Sequence, residues 1–255
     1  MGNLLFKRTN THRGYRRVIS PANTDLKYLS YSRLILDREL PEVTLDTGEE
    51  EWSLMCAGGS GEIEFSGASY KCAKHDSFYI PRRQKFTVRT SGFVDFVIAS
   101  APAERDTSFC AIPFAEVSGV HHGSSDNSTH RIIWTPIGDK VDACRLLCGF
   151  TEGDSGHWTS WPPHEHGSTR EEIYVYELPA PGFGIQLVFN DIFHPEHMEV
   201  VTDGDAVVIP SGYHPNVAAP GTKMKFYWLM AGIRPDKDRE WADVVVHPHY
   251  QGMKI

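Results

Sequence analysis

Short strand-like segments recur along the whole chain, and helical spacing of apolar residues never persists for more than two or three turns. The segments are rich in Val, Ile, Phe and Tyr and are separated by turns containing Gly, Pro, Asn and Asp. This pattern predicts an all-β protein built from sandwiches or barrels. The expected strands are 26–36, 51–55, 61–65, 77–80, 85–89, 93–99, 131–134, 144–151, 172–177, 183–189, 206–210 and 224–231.

A weak internal repeat divides the 255-residue chain. Asp76-Ser-Phe-Tyr-Ile-Pro81 and Asp205-Ala-Val-Val-Ile-Pro210 each place an aspartate turn before four strand residues and a proline. Domains usually contain about 100–150 residues, so the length suits two units as well as one. We predict two β-barrels, 1–115 and 116–255, with the junction inside 103–130.

Charge and hydropathy narrow the classes of partner. The chain has 25 basic and 33 acidic residues, a net charge of −8, whereas nucleic-acid binders usually present a basic face. Apolar runs are far shorter than the ~20 residues of a membrane-spanning helix, and the first residues lack the apolar core of a secretory signal. We therefore expect a cytoplasmic protein that binds neither nucleic acid nor membrane, and homo-oligomerisation is left open. The five scattered cysteines indicate free thiols.

Four residues of the second half predict a metal site. His164 and His166 are two apart, so they share one face of a strand, and Glu172 opens the strand that follows. His214 comes after the second copy of the repeat, beyond a short strand and a turn. Three imidazoles and one carboxylate suit a divalent transition metal with one or two positions left for water or substrate. Structural histidines that are hydrogen-bonded in the core are the alternative interpretation.

These residues resemble a known motif. His-x-His with a following Glu, and Gly-x5-Pro-x-Gly-x-His ending at His214, are similar to the two halves of the cupin motif. The whole chain resembles a bicupin, a pair of double-stranded β-helix (jelly-roll) barrels. More narrowly it resembles the 5-deoxy-glucuronate isomerase family of myo-inositol catabolism, which is related to 4-deoxy-5-hexosulose-uronate ketol-isomerase. The segments that carry this resemblance are 156–166, 171–176, 181–186, 212–215 and 230–232.

The resemblance implies an aldose–ketose isomerase that converts 5-deoxy-glucuronate, a small acidic sugar, to 5-dehydro-2-deoxy-gluconate. It implies zinc at the predicted site, although manganese also fits the ligands, and no nucleotide cofactor is expected because no Gly-x-Gly-x-x-Gly turn follows a strand. The alternatives are a metal-dependent dioxygenase cupin, an isomerase of a related deoxy-uronate and a non-catalytic sugar-binding protein.

Two departures from the family pattern concern the site. Four residues separate His166 from Glu171, and five separate it from Glu172. We prefer Glu172 as the carboxylate ligand because it directly precedes the Ile-Tyr-Val-Tyr strand. His157 stands where the family usually has Asn. The first barrel offers only Lys74-His75-Asp76 in the corresponding region, so we expect it to be a metal-free scaffold.

The substrate contacts are predicted from strand alternation. If Glu172 faces inward, Tyr174 and Tyr176 do too, either as sugar contacts or as barrel-filling aromatics. Gln186, a polar residue in an apolar strand, is a candidate sugar contact. Glu172 is the candidate catalytic residue, and the general base is left open between it and a hydroxide ion. The candidates for binding the substrate carboxylate are Arg131, Arg145, Arg170 and Lys223.

Overall fold

The computed structural model describes residues 3–239 and 244–253, and within them the chain is nearly all β. Three single 3-10 turns lie at Phe114–Glu116, Ser125–Asn127 and Pro248–Tyr250. No helix in this part of the chain has the length and apolar character needed to cross a membrane. The strands are β1 (Leu5–Phe6), β2 (Gly14–Ile19), β3 (Ser30–Asp37), β4 (Glu42–Asp46), β5 (Glu50–Phe65), β6 (Ala68–Ala73), β7 (Ser77–Ile80), β8 (Lys85–Arg89), β9 (Phe93–Pro102), β10 (Cys110–Ile112), β11 (Val120–His122), β12 (Arg131–Ile137), β13 (Leu146–Gly153), β14 (His164–Glu165), β15 (Arg170–Glu177), β16 (Gly184–Val188), β17 (His197–Val201), β18 (Ala206–Ile209), β19 (Asn216–Ala218), β20 (Lys225–Gly232) and β21 (Val245–Val246).

The first half forms one antiparallel sheet of nine strands with the path β10-β7-β5-β9-β3-β2, to which β4, β6 and β8 are attached. Predicted strands 51–55 and 61–65 are a single strand, β5, so their separation was wrong. Glycine explains the error, because a bulge between Cys56 and Gly58 and a φ of +73° at Gly59 bend the strand without ending it. A Cβ atom at Gly59 would lie 2.0 Å from the Phe93 carbonyl oxygen, so the close approach of β9 requires glycine there.

The second half forms a seven-stranded sheet in the order β1-β18-β15-β20-β13-β12-β11. A three-stranded sheet, β17-β16-β19, and a two-stranded pair, β14-β21, complete it. The prediction of an all-β protein with paired barrels is confirmed. Strand β1 pairs with β18, so the start of the chain joins the sheet of the second half across the predicted boundary. The division at residue 115 stays a prediction, and a boundary drawn there separates β1 from its own sheet.

Three apolar clusters follow from the alternation of side chains along the strands. One fills the interior of the first barrel and includes Leu54 and Phe86, and another fills the second barrel and includes Tyr174. The third contains residues of both halves, among them Tyr79 and Ile173. Each barrel thus buries one face of its strands inside itself and the other face against its neighbour.

The strand register aligns the two copies of the repeat. Trp52 of β5 pairs with Ile80, and Glu172 of β15 pairs with Ile209; Ile80 and Ile209 hold the same place before the repeat prolines. Trp52 therefore stands where the second barrel has Glu172. Its indole is 3% exposed and meets the ring of Phe86 edge-on at 5.9 Å.

Glu51 and Glu171, the residues just before Trp52 and Glu172, each form what we call a carboxylate clamp: one side-chain carboxylate accepts three backbone N–H groups of the other half. Glu51 accepts hydrogen bonds from the backbone N–H groups of Cys144, Arg145 and Leu146 at 2.7, 2.6 and 2.9 Å. Glu171 likewise accepts the backbone N–H groups of residues 27, 28 and 29 at 2.5, 2.9 and 3.0 Å. Each half thus holds the start of a strand of the other half with a buried charge.

Candidate functional site

The three predicted histidines converge at one end of the second barrel. His164 lies on β14, His166 directly follows it, and His214 lies in the loop between β18 and β19. One nitrogen from each ring lies within 4.8 Å of the others, and in residues 3–239 and 244–253 this is the one such group of three potential ligands. Glu172 joins it, with Oε2 3.2 Å from His166 Nε2 and 3.1 Å from His214 Nε2.

Backbone carbonyl groups orient two of the imidazoles. The Nδ1 atoms of His164 and His214 lie 2.9 Å from the carbonyl oxygens of Pro162 and Gly212, which accept only if Nδ1 carries the proton. The Nε2 atom of each ring then presents a lone pair to the centre, which is the arrangement that metal-binding histidines use. Strand β21 pairs with β14 and holds its backbone in place, with Val246 opposite His164.

The donor atoms fit a metal ion. Although His166 Nε2, His214 Nε2 and Glu172 Oε2 are buried and close together, none of them has a hydrogen-bond partner of suitable geometry in the described part of the chain. Buried polar atoms normally have hydrogen-bond partners. Three electron-pair-donating atoms without such partners that face a common point therefore indicate a place for a cation. Three histidines and a glutamate are ligands that zinc and manganese accept.

Electrostatics keeps these groups in the protonation state a metal requires. Burial lowers the pKa of His164 and of His166, and so favours neutral imidazoles. For Glu172, burial opposes ionisation, but positive charge at the centre of the group, supplied by His166 or His214 when protonated, outweighs burial and lowers the pKa of the carboxyl below its usual range. Neutral imidazole and ionised carboxylate are the metal-binding forms.

The choice between the two adjacent glutamates follows from their opposite directions on β15. Glu172 points into the barrel beside the imidazoles, whereas Glu171 points toward the other half and is engaged in its clamp. The structure thus brings together His164, His166, Glu172 and His214, the proposed ligands.

A cavity of about 60 Å³ opens beside His164 and Glu172. Tyr174, as strand alternation predicts, lies on its wall, and its hydroxyl is 3.1 Å from Ser160 Oγ. Burial raises the pKa of Tyr174, so its hydroxyl stays protonated. The cavity is lined by Arg131, Ile133, Thr151, Thr159, Ser160, His164, Glu172, Tyr174, Phe226, Trp228 and Met230.

Tyr176 and Gln186 are not on this wall. The Tyr176 hydroxyl donates to Gln186 Oε1, and Gln186 Nε2 donates to the carbonyl oxygens of Leu187 at 2.7 Å and His214 at 3.1 Å. Gln186 has no solvent-exposed surface. Direct sugar contact by either residue stays a prediction, and this geometry favours a different role, in which Gln186 positions the backbone of His214, a proposed metal ligand.

Replacing Gln186 with leucine tests that role. We expect Gln186→Leu to weaken metal binding by about 10- to 100-fold, the range for residues that support a metal ligand, because the His214 carbonyl loses its donor. Metal titration followed by elemental analysis measures this effect. A higher KM with unchanged metal affinity would instead favour a sugar contact.

Several wall residues were not predicted individually. Phe226, Trp228 and Met230 alternate along β20, and Ile133 lies two residues after the candidate Arg131 on β12, so strand parity is the signal that would have grouped them. Ser160 lies in a segment with no regular strand, and only the fold brings it to the cavity.

Comparison with known proteins decides the family. Residues 4–251 match the sequence profile of the KduI/IolB family. The chain belongs to the KduI/IolB family. Among its relatives, the 5-deoxy-glucuronate isomerase of Shouchella clausii is 30% identical over 244 residues, covering 85% of this chain and 88% of that protein. The 5-deoxy-glucuronate isomerase of Geobacillus thermodenitrificans is 30% identical over 182 residues. That match covers 65% of each chain, which is less than two thirds of the relative.

Solved structures agree with this KduI/IolB assignment at the level of the fold. An IolB-like protein from Salmonella typhimurium superposes with a TM-score of 0.87 at 23% identity, covering 98% of both chains. A variant of Bacillus subtilis oxalate decarboxylase superposes with a TM-score of 0.69 at 13% identity, covering 96% of this chain and 80% of that one. The predicted bicupin architecture is confirmed.

Proposed function

We propose that this KduI/IolB family member is a metal-dependent aldose–ketose isomerase that converts 5-deoxy-glucuronate to 5-dehydro-2-deoxy-gluconate in inositol catabolism. The observation that carries the proposal is the set of buried, unsatisfied donors of His166, Glu172 and His214 beside a cavity. The substrate is inferred from the name shared by the curated relatives. Zinc is the proposed ion, and a cytoplasmic location remains a prediction.

The site residues have two roles in the proposed reaction, which are to hold the metal ion and to transfer a proton. His164, His166, Glu172 and His214 would hold the ion, which when bound supplies a Lewis acid that polarises the sugar carbonyl. Glu172 is the one carboxylate on the described cavity wall, and we assign to it the transfer of a proton between adjacent sugar carbons. Tyr174, kept protonated, is placed to donate a hydrogen bond to a sugar oxygen. Phe226, Trp228 and Met230 lie on β20, the strand paired with β15, and their apolar surfaces exclude water beside Glu172 and Tyr174.

Isomerisation in deuterium oxide tests the reaction. We expect the zinc-loaded protein to interconvert 5-deoxy-glucuronate and its ketose, with solvent deuterium entering the carbon next to the carbonyl because the proton passes through an exchangeable base. Proton NMR of the sugar measures both. The pectin-derived 4-deoxy-5-hexosulose uronate is the comparison substrate.

The same experiment separates the alternatives. Turnover of the comparison substrate alone would keep the isomerase class and replace the substrate. Oxygen uptake measured with the iron-loaded protein, without aldose–ketose exchange, would overturn the proposal in favour of a dioxygenase.

A further inference from the structure

Arg131 begins β12 and lies between the cavity and the surface. It lines the cavity together with His164 and Glu172, and it also lines an outer cleft with Thr129 and Trp161. Only 2% of its surface is exposed to solvent. A molecule that enters the site from this cleft therefore meets a buried cation before it reaches the histidines.

The guanidinium of Arg131 has hydrogen-bond partners but no counter-ion among the described residues. Nη1 donates to the Thr129 carbonyl oxygen at 3.1 Å and Nη2 to the Trp161 carbonyl oxygen at 2.6 Å, while Nε is buried without a partner. Burial lowers the pKa of Arg131 to about 10, so the group remains charged at neutral pH.

Two other buried arginines of this chain are paired with acids. Arg33 donates two hydrogen bonds to Asp95, each 2.6 Å long, and Arg145 donates to Glu104 at 2.5 Å. An unpaired buried charge is costly, so its retention at a cavity needs an explanation. An anionic ligand that enters the cavity would supply the missing charge.

We propose that Arg131 binds the carboxylate of the substrate and thereby selects acidic sugars. The inference rests on the proposed function for the identity of the sugar, and on the cavity for the geometry. A uronate has its carboxylate at one end of the chain and its carbonyl carbon at the other, so a cation on the wall of the cavity that His164 and Glu172 also line fixes its direction. Arg145, Arg170 and Lys223, the other predicted candidates, are not on the described cavity wall.

A binding experiment tests the role of Arg131 as the carboxylate anchor, that is, as the residue that binds the substrate carboxylate, independently of turnover. The probes are glucuronate and its neutral amide, glucuronamide, titrated calorimetrically into the zinc-loaded protein. We expect the wild type to bind glucuronate at least about 10-fold more tightly, because a hydrogen-bonded charge pair is lost with the amide. In Arg131→Met the ratio of the affinity for glucuronate to that for glucuronamide should fall to about one.

Kinetics with 5-deoxy-glucuronate provides the second arm. Arg131→Met should raise KM by about 10- to 100-fold and change kcat less, while metal content stays at the wild-type level. Lys223→Met, which removes an exposed cation outside the cavity, is the matched control and should leave both constants unchanged. If Arg131→Met does not fold, Arg131→Lys replaces it and should keep the preference for the acid at reduced strength.

The outcomes distinguish this inference from the proposed function. An unchanged preference for glucuronate in Arg131→Met, or an equal loss of affinity for acid and amide, would overturn the anchor. An acid preference that depends on Arg131 in a protein that isomerises neither uronate would support the anchor and overturn the proposed reaction.

Discussion

Replacing His214 with alanine is expected to remove the bound metal ion and to lower isomerase turnover by about 1,000-fold or more. The imidazole is completely buried, and its Nε2 atom lies 3.1 Å from Glu172 Oε2 at the centre of the ligand group. Electrophilic assistance by a metal is worth several kcal/mol, and about 4 kcal/mol corresponds to a 1,000-fold change in rate. Elemental analysis of the purified variant gives the metal content, and the NMR assay gives turnover.

His197→Ala is the control for this experiment. His197 lies on β17, outside the ligand group, and its Nε2 atom is also buried without a partner, so it tests whether any such histidine is needed for metal binding. We expect the control to bind one equivalent of metal. Full metal content in His214→Ala, or its loss in His197→Ala, would show that the ion is held elsewhere.

The second large effect concerns stability. We expect Glu51→Gln to lower the free energy of unfolding by about 3 kcal/mol, because the amide accepts fewer of the three backbone hydrogen bonds and brings its own N–H groups against them. For a chain of this size the corresponding fall in Tm is about 6–12 °C. Glu51 is chosen because it lies in the first half, away from the metal ligands.

Matched substitutions make this result specific. Glu171→Gln, at the reciprocal clamp, should lower the free energy of unfolding by a similar amount. Glu116→Gln makes the same charge change at an exposed residue, and its free energy of unfolding should stay within about 0.5 kcal/mol of wild type. Calorimetric unfolding measures all three variants. A clamp variant no less stable than Glu116→Gln would refute the assigned role.

His164, His166 and Glu172 could be predicted from sequence because they lie near one another in the chain, and His214 could be predicted from the motif that it ends. Alternation places His164 and His166 on one face, and the same rule turns Glu172 and Tyr174 inward together. Strands such as β7 and β8 were also predicted with their observed bounds, since turn residues enclose them on both sides.

What could not be predicted depends on contacts between residues distant in sequence. The Glu51 clamp joins a side chain to amide groups more than 90 residues away, and a carboxylate that accepts backbone N–H groups leaves no pattern in the sequence. Arg131 was one of four candidates because its position at the cavity depends on how β12 packs against the other strands. The role of Gln186 cannot be assigned from sequence alone, since a polar residue in an apolar strand can satisfy buried backbone groups as readily as it can bind a ligand.

The tryptophan at the place of Glu172, a proposed metal ligand, has a consequence for what the first barrel can bind. A carboxylate introduced at position 52 would lie among Leu54 and Phe86 with no imidazole beside it, at a cost of several kcal/mol. In the first barrel, a single substitution to a carboxylate at position 52 therefore lowers stability before any imidazole is present to offset the buried charge. The apolar packing around Trp52 thus holds the first barrel to a supporting role.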